Sequence, residues 1–254
     1  MKKLLLFVCA ATLVVGCQDD TSVQTVAGKG AIEVTASASG EVTTKAEGEN
    51  GITLDTPALE DFSLKITGTD FEKNWTSLSD YDTDSERYVA GWYTVAIECG
   101  DVTEEGYNKP YFATSQRIQV LDRNRTTQVN LVATVGNAIV EIRTTENFRN
   151  YFPTREFKLT TENNTFELSE EPTEYLFIAP QKKAAIDCTC IRQANLATGT
   201  TESLTTQYIP TVNAATRYIV TYDLQYTGSV DVTVSLDDTI IDTITVDVEL
   251  NENA

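Results

Sequence analysis

Apolar and polar residues alternate with a period of two along most of this chain, and few folds can accommodate that pattern. Val230, Val232, Val234 and Leu236 alternate with Asp231, Thr233 and Ser235. After Asp237-Asp238, the residues Ile244, Val246, Val248 and Leu250 resume the pattern. Successive side chains on a strand point to opposite faces, so such a run has one wet and one buried face. The same signal appears at Ile32, Val34 and Ala36, at Phe62, Leu64 and Ile66, and at Tyr93, Val95, Ile97 and Cys99. It returns at Ile118 and Val120, at Val129, Leu131 and Ala133, and at Ala138, Val140 and Ile142. Residues 145–152 read as one helical turn, and nothing else reads as helix. The expected class is all-β.

The pattern also repeats. Phe157 and Leu159 echo Phe62 and Leu64, Ile186-Asp187-Cys188 echoes Ile97-Glu98-Cys99, and Tyr218, Val220 and Tyr222 echo Val129, Leu131 and Ala133. The step from Cys99 to Val129 and the step from Cys188 to Tyr218 are both 30 residues. Gly136-Asn137 interrupts the alternation between the copies. Two tandem β-sandwiches are expected, at residues 31–135 and 136–254. Residues 37–57 and 68–90 read as loops. The last strand is a candidate sheet edge, and pairing within its own sheet is the simpler expectation over pairing with another subunit.

The start of the chain is of a different kind. Met1-Lys2-Lys3 precedes an apolar run from Leu4 to Val15, which ends in Leu13-Val14-Val15-Gly16-Cys17. The run is shorter than the roughly 20 residues a membrane span needs. A basic opening, a short apolar run and a small residue before a cut site mark an export signal. This one resembles a bacterial lipoprotein signal. That implies removal of residues 1–16, acylation of Cys17, and a tether over residues 17–30. Gln18, Asp19 and Asp20 resemble the acidic sorting signal of Bacteroidetes surface lipoproteins, which implies an outer-membrane protein facing the exterior. Its partners are then the lipid membrane through Cys17, and either other surface or fimbrial subunits or a host or glycan ligand.

Composition narrows the chemistry. The chain carries a formal charge of −19, and loss of Lys2 and Lys3 takes it to −21. Such a surface as a whole repels nucleic acid and anionic lipid headgroups, so neither is an expected partner. Histidine is absent, which removes the commonest general base, the usual Ser and Cys triads and most zinc sites. No enzyme and no cofactor are expected. Asp80-Tyr81-Asp82-Thr83-Asp84 has calcium-loop spacing, but Ser85 and Gly91 stand where an EF-hand has glycine and glutamate, so a solvated loop is preferred. Cys99, Cys188 and Cys190 are read as small buried apolar residues in preference to a Cys99 bridge. Trp75, Tyr81, Tyr107 and Tyr111 are candidates for stacking on a glycan. They support the alternative of a glycan-binding lipoprotein in a polysaccharide-uptake system; Trp75 and Tyr81 on one exposed face would favour it, and a buried Trp75 would remove most of its support.

Gly30-Ala31-Ile32-Glu33-Val34, Asp61-Phe62-Ser63-Leu64-Lys65-Ile66, Gly91-Trp92-Tyr93-Thr94-Val95, Pro110-Tyr111-Phe112 and the Asp237-Asp238 hairpin together resemble a family of Bacteroidetes lipoproteins of unknown function. These are similar to fimbrillins, two-domain subunits of lipoprotein-derived pili. The resemblance implies two transthyretin-like Greek-key sandwiches and a role in cell adhesion or as a fimbria-associated subunit. Fimbrillin assembly uses cleavage near the N-terminus, often after arginine. No arginine precedes Arg87 here, which favours an anchored monomer or accessory subunit over a polymer.

Overall fold

A computed structural model describes residues 28–46, 48–121, 125–192, 201–226, 230–237 and 239–246. The first half holds β1 (Lys29–Ser39), β2 (Glu41–Val42), β3 (Ile52–Thr53), β4 (Ser63–Gly68), β5 (Phe71–Trp75), β6 (Tyr88–Val89), β7 (Gly91–Cys99), β8 (Gly106–Tyr107), β9 (Phe112–Val120) and β10 (Thr126–Val135). The second holds β11 (Ala138–Thr144), the helix α1 (Glu146–Tyr151), β12 (Thr154–Thr160), β13 (Thr165–Leu168), β14 (Leu176–Ile178), β15 (Ala184–Ile191), β16 (Thr201–Ser203), β17 (Gln207–Ile209), β18 (Arg217–Tyr226), β19 (Val230–Leu236) and β20 (Thr239–Val246). The chain is all-β, as the alternation requires, and the short helix falls where residues 145–152 predict it.

In the first half one sheet runs in the order β5-β4-β7-β9-β10-β1-β6. It doubles over on itself. Strand β9 pairs with β7 along its whole length, but its ladder pairs with β10 are limited to Phe112 and Ala113. Phe62, Leu64, Val95 and Ile97 of one layer therefore share a core with Ile32, Val129 and Leu131 of the other. In the second half the two layers are separate sheets, β20-β19-β18-β11-β14-β8 and β13-β12-β15-β16, with β17 also on β15. Their inner faces meet around Phe157, Leu159, Ile186, Val220 and Tyr222.

The repeat is a repeat of register. Leu64 faces Ile97 across β4 and β7, and Leu159 faces Ile186 across β12 and β15. Each half opens on a strand that runs parallel to a late one. Val34 and Ala36 lie beside Val129 and Leu131, as Val140 and Ile142 lie beside Tyr218 and Val220.

These pairings give the molecule a direction. Strands β1 and β10 run together from Lys29 and Thr126 towards Ser39 and Val135. After Gly136-Asn137 the chain pairs β11 with β14 and β18, not with β10, so it carries onward instead of folding back. Thr43, beyond the Ser39 end of β1, bridges to Thr216 of the second half, so the Lys29 end of the strand is the one turned away from that contact.

Several loop expectations give way to structure. Strand β1 begins at Lys29, inside the expected tether, because Gly30 lets its backbone press against Leu121 and Arg125: a Cβ there would lie 2.6 Å from the Leu121 carbonyl oxygen. The 37–57 stretch is not a free loop. It carries the end of β1 and the β2–β3 hairpin, buries Val42 and Ala46, and its Thr43 exchanges backbone hydrogen bonds with Ala215 and Arg217 at 3.0 and 2.8 Å. The 68–90 stretch contains strand β5, whose last residue, Trp75, is buried opposite Leu64. Asp82 accepts from Asp84 N–H at 2.9 Å, which shapes a turn, and no group of three or more metal-binding side chains occurs among the described residues. Cys99, Cys188 and Cys190 are free thiols, and Cys188 and Cys190 are buried on β15. Val248, Leu250 and residues 122–124 lie outside the described residues.

Candidate functional site

A polar cleft of about 520 Å³ lies in the second half, lined by Glu141, Arg143, Thr144, Arg149, Arg155, Ser169, Glu170 and Glu171. Its walls follow from local sequence. Thr145 caps α1: its hydroxyl accepts from Phe148 N–H at 3.3 Å and donates to Asp223 at 2.6 Å. This cap fixes the turn so that Phe148 and Tyr151 enter the core, while Arg149 reaches back and donates to the Thr144 carbonyl at 2.5 Å. Past Pro153, strand β12 presents Arg155, which donates to the Phe152 carbonyl at 3.0 Å and pairs with Glu170. Thr144 also donates to Glu170.

Burial pushes the Glu170 carboxyl up, but hydrogen bonds from Arg155 and Thr144 and the nearby guanidinium charges outweigh it and leave it below its ordinary value. Guanidinium forks match planar carboxylates, so the three arginines and their acids make a charge-balanced, largely polar cleft.

An ion-pair network beside it ties the halves together. Arg143 donates to Glu49, in the first half, at 2.5 Å and to Glu141 at 3.0 Å, while Arg217 donates to Glu141 at 2.5 and 2.9 Å. The hydrogen bond from Arg143 lowers the Glu49 carboxyl, and that same bond raises Arg143. Next to this network, Asn137 is buried but satisfied: its side-chain N–H₂ donates to the Lys109 carbonyl at 2.7 Å, and its side-chain oxygen accepts from Tyr111 N–H at 3.3 Å. Ile139 and Phe177, both from the second half, sit in the core of the first.

The residues singled out from the sequence do not converge on this cleft. Cys17, Gln18, Asp19 and Asp20 lie outside the described residues. Trp75 is 9% exposed, and its ring meets Tyr81 edge-on with centroids 5.0 Å apart. The Tyr81 hydroxyl donates to the Ile32 carbonyl at 2.6 Å. Tyr107 on β8 donates to the Glu167 carbonyl at 2.6 Å. Tyr111 donates to Glu98 at 3.0 Å, and burial followed by that partner pushes its phenol up to about 12. All four rings are tied to their own fold, and Trp75 and Tyr81 offer no shared open face, which removes the main support for glycan stacking. The arginine cleft escaped sequence reading because Arg143, Arg149 and Arg155 lie on three different elements. The six-residue spacing of Arg149 and Arg155 was the only local hint.

Solved structures with similar strand arrangements share little sequence with this chain. A Bacteroides fragilis protein provisionally named for cell adhesion is 8% identical over 81% of this chain and 97% of its own, with a TM-score of 0.37. A Bacteroides thetaiotaomicron protein provisionally named an adhesin is 9% identical over 87% and 99%, with a TM-score of 0.36. A fimbrial assembly protein from Parabacteroides distasonis is 8% identical over 86% and 98%, also at 0.36. No curated protein matches by sequence. Residues 28–252 match the family described as Domain of unknown function (DUF4493), and the chain belongs to that family.

Proposed function

We propose that this chain is a non-enzymatic outer-membrane lipoprotein, acylated at Cys17 and facing the cell exterior, that acts in cell adhesion or as a fimbria-associated subunit. The supporting observation is directional. Strand β1 begins at Lys29 and runs away from the Cys17 side of the chain, and β11 carries the fold onward. In this reading the second half, with its arginine cleft and its end strand β20, stands farthest from the lipid, where a surface partner would be met. The two sandwiches are two units in series: 31–135 supports and 136–254 presents. Chemistry agrees, since a chain without histidine lacks the usual means of acid–base catalysis.

The test is metabolic labelling with an alkynyl palmitate, followed by membrane fractionation, for wild type and Cys17→Ala. Label on the wild type in the outer membrane, its loss in Cys17→Ala, and reduced attachment of cells lacking the protein are expected. A protein that is unlabelled and released to the periplasm would sink the anchor. Unchanged attachment, together with no surface partner recovered by cross-linking, would sink the adhesive role.

A further inference from the structure

We propose that the Lys29 end of the first half rests on the lipid surface, with Trp92, Leu121 and Val89 inserted among the headgroups. The idea rests on the lipoprotein reading above and adds to it a fixed contact between fold and membrane. Among the described residues these three are 52%, 45% and 46% exposed. The other exposed large apolar side chains, Leu59, Val132, Tyr175 and Tyr208, do not join them at this end.

Register brings the three together. Trp92 faces Gln119 across β7 and β9, so Trp92, Arg117 and Gln119 share the outer face, and Leu121 follows Val120 past the end of β9 with its carbonyl oxygen against Gly30. Val89 faces Lys29 across β6 and β1 at the same tip. An indole and two aliphatic side chains exposed at one tip form the kind of apolar patch that marks a contact site.

Charge selects the occupant. This end carries Lys29, Arg117 and Arg125, none with a carboxylate partner among the described residues, in a protein of net charge −19. The Arg117 guanidinium lies 4.7 Å from the centre of the Trp92 ring. Of the nearby acids, Glu72 and Glu86 are held by Lys65 and Lys73, which leaves Asp70, on the turn between β4 and β5 in the same layer as β7, to set against the three cations. An amphipathic indole flanked by cations suits the boundary between acyl chains and phosphate-bearing headgroups.

Reach agrees as well. Eleven residues separate Cys17 from Lys29, which at most span about 38 Å, so acylation holds this end of the fold within touching distance of the leaflet.

The chain has two tryptophans, and Trp75 is buried, which makes emission a direct readout. The full protein, purified from membranes, is reconstituted in vesicles of phosphatidylethanolamine and phosphatidylglycerol with brominated acyl chains. Wild type is expected to lose about half of the Trp92 emission, since interfacial side chains sit within roughly 10 Å of the acyl boundary. Trp92→Phe is expected to lose none of what remains, and Leu121→Asp to quench less than wild type while keeping its circular dichroism. Equal quenching in wild type and Trp92→Phe overturns the contact, and so does Trp92 shielding from acrylamide without bromolipid quenching, which would mean a protein partner at the tip. Mass spectrometry of the same samples reads acylation of Cys17 separately, so a failed anchor and a failed contact give different results.

Discussion

The two halves share one register and close it in different ways. In the first half β9 stands beside β10, so a single ladder wraps both layers. In the second half the place beside β18 is taken by β19 and β20, a hairpin with no counterpart in the first, and the strands beside β15 are the short β16 and β17. The layers therefore separate, and their rim is filled by α1 and by arginine–carboxylate pairs instead of backbone hydrogen bonds. One repeat has produced a closed half and an open, polar-rimmed half. A buried pattern of apolar positions fixes which strands face each other, while the length of one connecting strand decides whether the sandwich closes.

That comparison can be broken at several points. The largest effect is expected where the halves share a core. Phe177→Ala empties a site in the first core from a strand of the second, at a cost of about 3–5 kcal/mol, and the single denaturant transition expected of wild type should split in two. One unsplit transition at the wild-type midpoint would show that the halves do not depend on this contact.

Next come the register-equivalent pair. Leu64→Ala and Leu159→Ala should each cost about 2–5 kcal/mol and fall within about 1 kcal/mol of each other, as both residues are buried opposite an isoleucine. A clear inequality by chemical denaturation would mean that equal register does not carry equal packing. Asn137→Ala, at the joint, should cost about 1–3 kcal/mol by leaving Tyr111 N–H and the Lys109 carbonyl without their partner, and hydrogen exchange at Tyr111 should rise.

The smallest effect separates the halves by pH. A carboxyl held below its ordinary value binds its proton less readily in the folded chain, so its contribution is present at neutral pH and fades as the medium is acidified below the ordinary value of 4.5 towards the lowered one. Amide exchange around α1 should accelerate in that window, and Glu170→Gln should abolish the acceleration. Identical pH profiles for the two proteins would remove Glu170 from the rim.

Much of the fold was legible because alternation is a local signal. Tyr93 to Cys99, Val129 to Ala133 and the helix at 146–151 all stand where their own residues place them. What was hidden depends on distant partners. Leu176-Phe177-Ile178 is only three residues long and buried on both faces, so it shows no alternation at all. Ile139 sits between Ala138 and Val140 for the same reason, since β11 serves two cores. Trp75 was read as a loop residue because Asp70, Glu72, Lys73 and Asn74 surround it in sequence, while Leu64 and Tyr81 surround it in space. The cleft was the least legible feature, because guanidinium–carboxylate pairs leave no periodic trace.

The central claim is that the second half is carried outward by a lipid-held first half. It is tested most directly by placing a cysteine at Thr173, an exposed position near the cleft, and treating intact cells with a membrane-impermeant maleimide. The account predicts that Thr173→Cys is labelled on intact cells well above the native chain. Labelling that appears only after the outer membrane is opened would contradict it.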